Sequence, residues 1–189
     1  MIHELRSYRL RPGAAPAYLG LLAREGIAHV TRHLPLMGYW MTETGRLNVI
    51  HHLWSYADWS ERSAARAALA RETAWTEGFI PTACQWVEAQ ENLFLTLTRG
   101  SRAFDTALAA RRTERPLQGA EAPLFSADVA AISHADAGIA GPLVAEWTVA
   151  SGAGPHRVIA LHPRAALPPP APPGTTRHEI IRPLALSPL

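Results

Sequence analysis

His51 and His52 stand side by side in the stretch GYWMTETGRLNVIHHLWSY, residues 38–56, together with Trp40, Trp54, Tyr56 and a glycine turn. An imidazole titrates near neutrality, so His52 is a candidate general base; the competing reading is a hydrogen-bonded core histidine. Glu4 and Arg6 could hold or protonate a ligand, or could satisfy one another as a buried ion pair. Trp40, Trp54 and Tyr56, with Tyr8, could line a pocket for a flat apolar molecule, or could be core. Asn48 adds an amide able to meet a developing oxyanion. Glu91 and Asn92 read equally well as site residues or as polar residues at a sheet edge. His29 and His33 lie four apart, a spacing that can chelate a metal. No glutamate stands between them in the HExxH sense and no third ligand follows, so no metal is expected. No phosphate-binding glycine loop or nucleophile elbow is present.

The elements that must carry these residues follow from periodicity. Residues 2–10 alternate as a strand and end at the turn signal Arg11-Pro12-Gly13. Residues 14–34 read as a helix with an apolar stripe of Leu19, Leu22, Ala23, Ile27, Val30 and Leu34, stopped by Pro35. The 38–56 window is then a hairpin, strand 37–43 returning as strand 47–56 across residues 44–46. Asp58 and Glu61 have capping-box spacing and start a helix at Trp59, with an extra turn before Pro81. Residues 85–98 complete the set as a strand. Strand, helix, strand, strand, helix, strand is the ferredoxin-like βαββαβ order, an antiparallel sheet with helices on one face.

Residues 100–189 read as a degenerate second ferredoxin-like half. The segment from Trp147 parallels that from Trp40, each placing Val-Ile four residues beyond a glycine (Gly45 to Val49, Gly154 to Val158). Where its second helix belongs stands a proline-rich loop, 163–174, which forbids a helix and favours extended chain. A sheet covered on one face needs a second layer on the other. The fold class expected is therefore α+β, the halves 1–99 and 100–189 forming a barrel within the chain or by homodimerisation. Alternation puts Glu4, Arg6 and Tyr8 on one face of the first strand, and Asn48, Ile50, His52, Trp54 and Tyr56 on one face of the third. Leu5, Val49 and Leu53 are expected under the helices, with Glu4, Arg6, Asn48, His52 and Trp54 facing the space between the sheets. Ile2, Leu10 and Ile50 fall awkwardly on that polar face.

Composition narrows the rest. All 18 basic residues are arginine and the net charge is only +2. The arginines are scattered with no stripe to track a phosphate backbone, so nucleic acid is not an expected partner. Cys84 is the lone cysteine, which excludes an intrachain disulfide. No apolar signal core, leader or membrane span is legible, and a cytoplasmic protein is expected.

The motif set Glu4-Leu5-Arg6, Tyr8, Pro12-Gly13, Arg32-His33-Leu34, Gly38, Trp40, Glu43, Gly45, Leu47-Asn48, His52-Leu53-Trp54, Tyr56 and Gln90-Glu91-Asn92 resembles the NIPSNAP family over residues 1–97. The resemblance implies a fold similar to dimeric α+β barrels and an undefined biochemical activity. The favoured function is a barrel that binds a small apolar or aromatic molecule. The alternative is a small enzyme of the cofactor-independent oxygenase or isomerase type acting on an aromatic or polyketide-like substrate, with His52, Glu4 and Arg6 as catalytic candidates. The sequence requires no cofactor, and haem through a histidine is not excluded.

Overall fold

The computed structural model describes residues 1–167 and 169–189; Pro168, within the 163–174 loop, lies outside them. Eight strands form one antiparallel sheet that closes on itself within the single chain, so a partner is not needed for closure. In chain order they are β1 (Ile2–Leu10), β2 (Leu36–Thr42), β3 (Val49–Tyr56), β4 (Val87–Gly100), β5 (Ala130–Ala135), β6 (Ala145–Ser151), β7 (Val158–Leu161) and β8 (Thr175–Pro183). Around the barrel they run β1-β3-β2-β8-β5-β7-β6-β4. The second four strands thus repeat the neighbour order of the first, fourth-first-third-second, and the halves join where β2 meets β8 and β4 meets β6.

The interior is filled. Leu5, Trp40, Leu53 and Leu95 from the first half meet Ile132, Trp147, Ile159 and Leu161 from the second, leaving about 10 Å³ among them. Eight strands enclose a lumen just wide enough for side chains, and large branched and aromatic residues consume it here. Gly38 makes room for one of them, because a Cβ there would lie 2.0 Å from the Trp40 ring. The interior has polar positions as well: His3 meets Ser55 at 2.6 Å, Ser7 meets His51 at 2.7 Å, and Glu179 is approached by Arg46 and Arg177 at 3.3 Å.

The outer face differs between the halves. Over β1, β3 and β2 lie α1 (Ala15–Leu21) and α2 (Ile27–His33), joined through a π-helical turn at Leu22–Gly26, then α3 (Trp59–Leu69), a second π-helical turn at Ala74–Phe79, and α4 (Ile80–Ala83). Asp58 caps α3 as expected, accepting from the Glu61 backbone N–H at 2.8 Å, while the Glu61 carboxylate returns to the Ala57 N–H. The two π turns touch: a Cβ on Gly26 would come within 2.8 Å of the Phe79 ring, so glycine lets these segments close. Over the second half no helix among the described residues fills the corresponding positions. Residues 136–144, 162–167 and 169–174 cross the sheet as loops, and Ile139 packs on Ala135 and Ala160. One further helix, α5 (Arg102–Ala109), lays Phe104 against His3 and Trp147. Among the described residues no helix is long and apolar enough to cross a membrane.

Candidate functional site

The strand register assembles the site in rows. Across β3, β1 and β4, Trp54, Glu4 and Phe94 are neighbours; so are His52, Arg6 and Asn92, and then Ile50, Tyr8 and Gln90. The face these rows share is the one beneath the helices, where Trp54, Ile50, Tyr39 and Tyr56 pack with Tyr18, Leu19 and Leu22. The expected sidedness is reversed. Leu5 and Leu53 point into the barrel, and Glu4, Arg6, His52 and Trp54 lie under helical cover rather than between two sheets. Trp40 belongs to the barrel interior, on the opposite face from Trp54. Asn48 lies in neither place: it adopts φ 59° in the loop before β3, where its Oδ1 accepts from the Gly13 N–H at 3.2 Å. Its sequence position beside the strand mimicked an inward-facing residue, and the turn consumed it.

Glu4 is fully buried. Arg62 and Arg66, one helical turn apart on α3, donate to both of its oxygens at 2.9–3.0 Å. Asn92 adds a bond at 2.9 Å and Arg6 one at 3.2 Å. Burial alone would raise this carboxyl, but the hydrogen bonds and charge of Arg62 and Arg66 overcome it and hold the pKa at about 2. A carboxylate so engaged is ionised at neutral pH and does not line the cavity, so it fastens α3 to the sheet and is no proton donor to a ligand. One carboxylate among three guanidinium groups leaves positive charge in excess.

His52 has a defined protonation pattern. The Trp54 indole donates to its Nδ1 at 2.6 Å, and an indole N–H can only donate. Burial first, and the charge of Arg6 next, push the imidazole well below its ordinary pKa despite the opposing pull of Glu4, so the ring is neutral. A neutral ring that accepts at Nδ1 carries its proton at Nε2. That Nε2 is buried and has no partner among the described residues. The ring stacks on Tyr39 (4.9 Å, 8°) and meets Tyr8 edge-on (4.8 Å, 87°), which locks its orientation. His52 therefore presents an N–H at Nε2, where the sequence reading offered a general base or a hydrogen-bonded core histidine.

Between the sheet and the helices lies a cavity of about 250 Å³. Arg6, Tyr8, His52 and Trp54 supply its sheet side, with Tyr39. Tyr18, Leu22, Val30 and Leu69 come from the helices, and Trp75, Ile80 and Ala83 from the segment that follows. Arg66 brings the second guanidinium, and its Nε has no partner among the described residues. The lining includes exposed Cys84 and Gln90 as well as buried Tyr39, Trp54 and His52. Of the expected ligand-binding residues, Tyr8 and Trp54 line this space; Tyr56 is packed beside it and is not part of the lining. In the sequence Arg62 and Arg66 read only as two of the scattered arginines, on an alanine-rich helix, although their spacing with Leu69 at i, i+4 and i+7 marks one face. Tyr18, Tyr39 and Trp75 were also missed. His29 and His33 both turn to Glu72, at 3.4 and 3.0 Å, and fasten α2 to the segment after α3.

A closed α+β barrel with a helix-roofed cavity on one half defines the structural class. The NIPSNAP family profile matches residues 3–102, more than half of the chain, and the chain belongs to that family. Protein NipSnap homolog 3A of Homo sapiens is 34% identical over 94 residues, which cover 49% of this chain and 37% of the human protein. Protein NipSnap homolog 2 of Danio rerio is 36% identical over 76 residues, 40% of this chain and 26% of that protein. The chain thus spans about a third or less of these curated relatives. Among solved structures, a NIPSNAP family protein with unknown function from Agrobacterium tumefaciens matches at TM-score 0.52 and 37% identity, covering 54% of this chain and 92% of its own. A putative monooxygenase from Lactobacillus acidophilus matches at TM-score 0.50 with 8% identity, covering 96% of this chain and 92% of its own. That likeness shows the fold along nearly the whole chain.

Proposed function

We propose that this NIPSNAP protein binds a small apolar or aromatic molecule in the cavity between β1, β3, β2 and the helices above them. One observation carries the reading: about 250 Å³ of space lies beneath the helices, lined by aromatic side chains and by a buried, unpartnered imidazole edge, whereas the barrel interior retains about 10 Å³. An apolar cavity of about 150 Å³ is enough to hold benzene, so the larger space suits a substituted or fused ring. An apolar concavity with a few fixed polar groups is the usual form of a small-molecule site. In the alternative reading, an oxygenase- or isomerase-type enzyme, His52 would polarise an oxygen of the substrate rather than remove a proton. The strand order also supports reading residues 100–189 as a degenerate copy of the first half, kept to close the barrel that underlies the site.

Cys84, exposed and part of the lining, gives a direct test. A panel of aromatic compounds is screened for a raised melting temperature, and each hit is assayed for its effect on Cys84 alkylation. Binding in the cavity raises the melting temperature, slows alkylation, and is abolished by Ala83→Leu, which fills the space. Hits that leave both alkylation and Ala83→Leu binding unchanged would place the ligand elsewhere and reject the reading.

A further inference from the structure

The polar lining of the cavity says more about what it takes. Arg6 and Arg66 are its charged groups, and Glu4, the one carboxylate bonded to them, has both oxygens engaged. Among the described residues no second carboxylate pairs with Arg6, Arg62 or Arg66. Of the residues that line the cavity, the two with a buried group left without a partner both present donors, His52 Nε2–H and Arg66 Nε–H. A neutral apolar ligand would leave these donors unsatisfied, at the cost that any buried unpaired polar group carries, and a cation would meet an excess of positive charge. An anion answers both conditions.

We infer that the cavity takes an organic acid: a carboxylate set against Arg66 and the His52 Nε2–H, with an aromatic or acyl body among Tyr18, Tyr39, Trp54 and Trp75. The inference rests on the binding reading above and specifies its ligand class. The division of labour follows from the chemistry. Arg66 supplies the charge and is itself held in place by Glu4, while His52, pinned by Trp54 and Tyr39, supplies a fixed neutral donor. A hydrogen bond to a charged group in such a setting contributes about 1.5–3 kcal/mol, or roughly ten- to a hundredfold in affinity.

The test is calorimetric titration of the full chain with naphthoate, its uncharged isostere naphthamide and the cation naphthylmethylammonium, repeated with the acyl pair octanoate and octanamide. The acids should bind about ten- to a hundredfold tighter than their amides, and the ammonium should not bind. Arg66→Gln should shrink the acid–amide gap to less than about threefold, and Arg66→Lys should retain part of the gap. His52→Phe, which keeps a flat ring but no donor, should weaken acid and amide alike. Equal affinity of acid and amide for the unaltered chain, or a gap that survives Arg66→Gln in folded protein, overturns the inference. If the amides bind as well as the acids and Ala83→Leu abolishes both, the cavity reading stands and only the acid class falls. If no probe binds or slows Cys84 alkylation, both fall.

Discussion

The two halves of the barrel share a strand order and differ in what covers them. On the helix-covered half the strands present large side chains outward, Trp54, Tyr39, Tyr8 and His52, and the helices stand off the sheet far enough to leave a cavity. The loop-covered half presents Ala131, Ser133, Ala135 and Ala160 outward, all essentially inaccessible, and the chain lies directly on them. Its polar centre is also of a different kind. Ser133 lies 2.8 Å from both His162 Nε2 and His178 Nδ1, a cluster without a carboxylate or guanidinium, satisfied by its own members and by the Pro169 carbonyl. The first half keeps charge in excess and donors unpaired. A sheet can be finished for packing or left open for a ligand, and the size of the outward side chains decides which.

Beneath these covers both halves share one interior, and acid should break them together. His3, His51 and His134 are held by burial at about 4, 3 and 3 respectively, below their ordinary 6.5. Positive groups reinforce this, the N-terminus and Arg111 for His3, and Arg46 and Arg177 for His51 and His134. Arg157 and His51 also bear on His134, while Glu179 lies 4.0 Å from His51 without reversing its shift. A group whose folded pKa is depressed stays neutral in the fold while the unfolded chain takes up its proton, so stability falls as pH drops below about 6.5 towards about 4. Each such histidine contributes up to about 1.4 kcal/mol per pH unit. Denaturant unfolding across this window should therefore show the steepest loss of any experiment here, in a single transition; two separated transitions would show that the halves are independent.

Glu4→Gln should cost about 3–5 kcal/mol, because it strands buried guanidinium groups. Ser133→Ala, in the serine–histidine cluster of the other half, should cost about 1–3 kcal/mol. Equal costs in urea unfolding would mean that the charged cluster adds nothing over hydrogen bonding. A matched pair of enlargements sharpens the contrast further. Ala160→Leu overpacks the loop-covered face and should cost about 1–3 kcal/mol, whereas Ala83→Leu grows into empty space and should change stability by less than about 1 kcal/mol. The smallest effect belongs to Asn48→Gly. Glycine accepts the positive φ, so the loss should stay below about 1 kcal/mol, with ligand affinity unchanged because Asn48 is a turn residue.

The sequence marked the strand order of the first half, the capped start of α3 and the stop at Pro35 because each has a local cause. Sidedness was not local. β3 is buried at every position from Val49 to Tyr56, so alternation shows two faces and no wet one to orient them. The clue lay in Ile2, Leu10 and Ile50, apolar residues on the face assigned to the ligand chamber; they mark that face as the one the helices cover. His52 was legible as a site candidate, but its role depended on the Trp54 indole two residues along the same strand. Only the rotamers could settle that, and they make the imidazole a donor. The outward alanines of the second half carry little strand signal of their own, and their meaning as a flat bed for a loop needed the sheet itself.

The most direct test is a crystal structure of the chain with naphthoate bound. The ring is expected beneath α1 and α4 against Trp54 and Tyr39, with the carboxylate on Arg66 and the His52 Nε2. Naphthoate lodged instead between Trp40 and Trp147 inside the barrel, or on the loop-covered face, would contradict it.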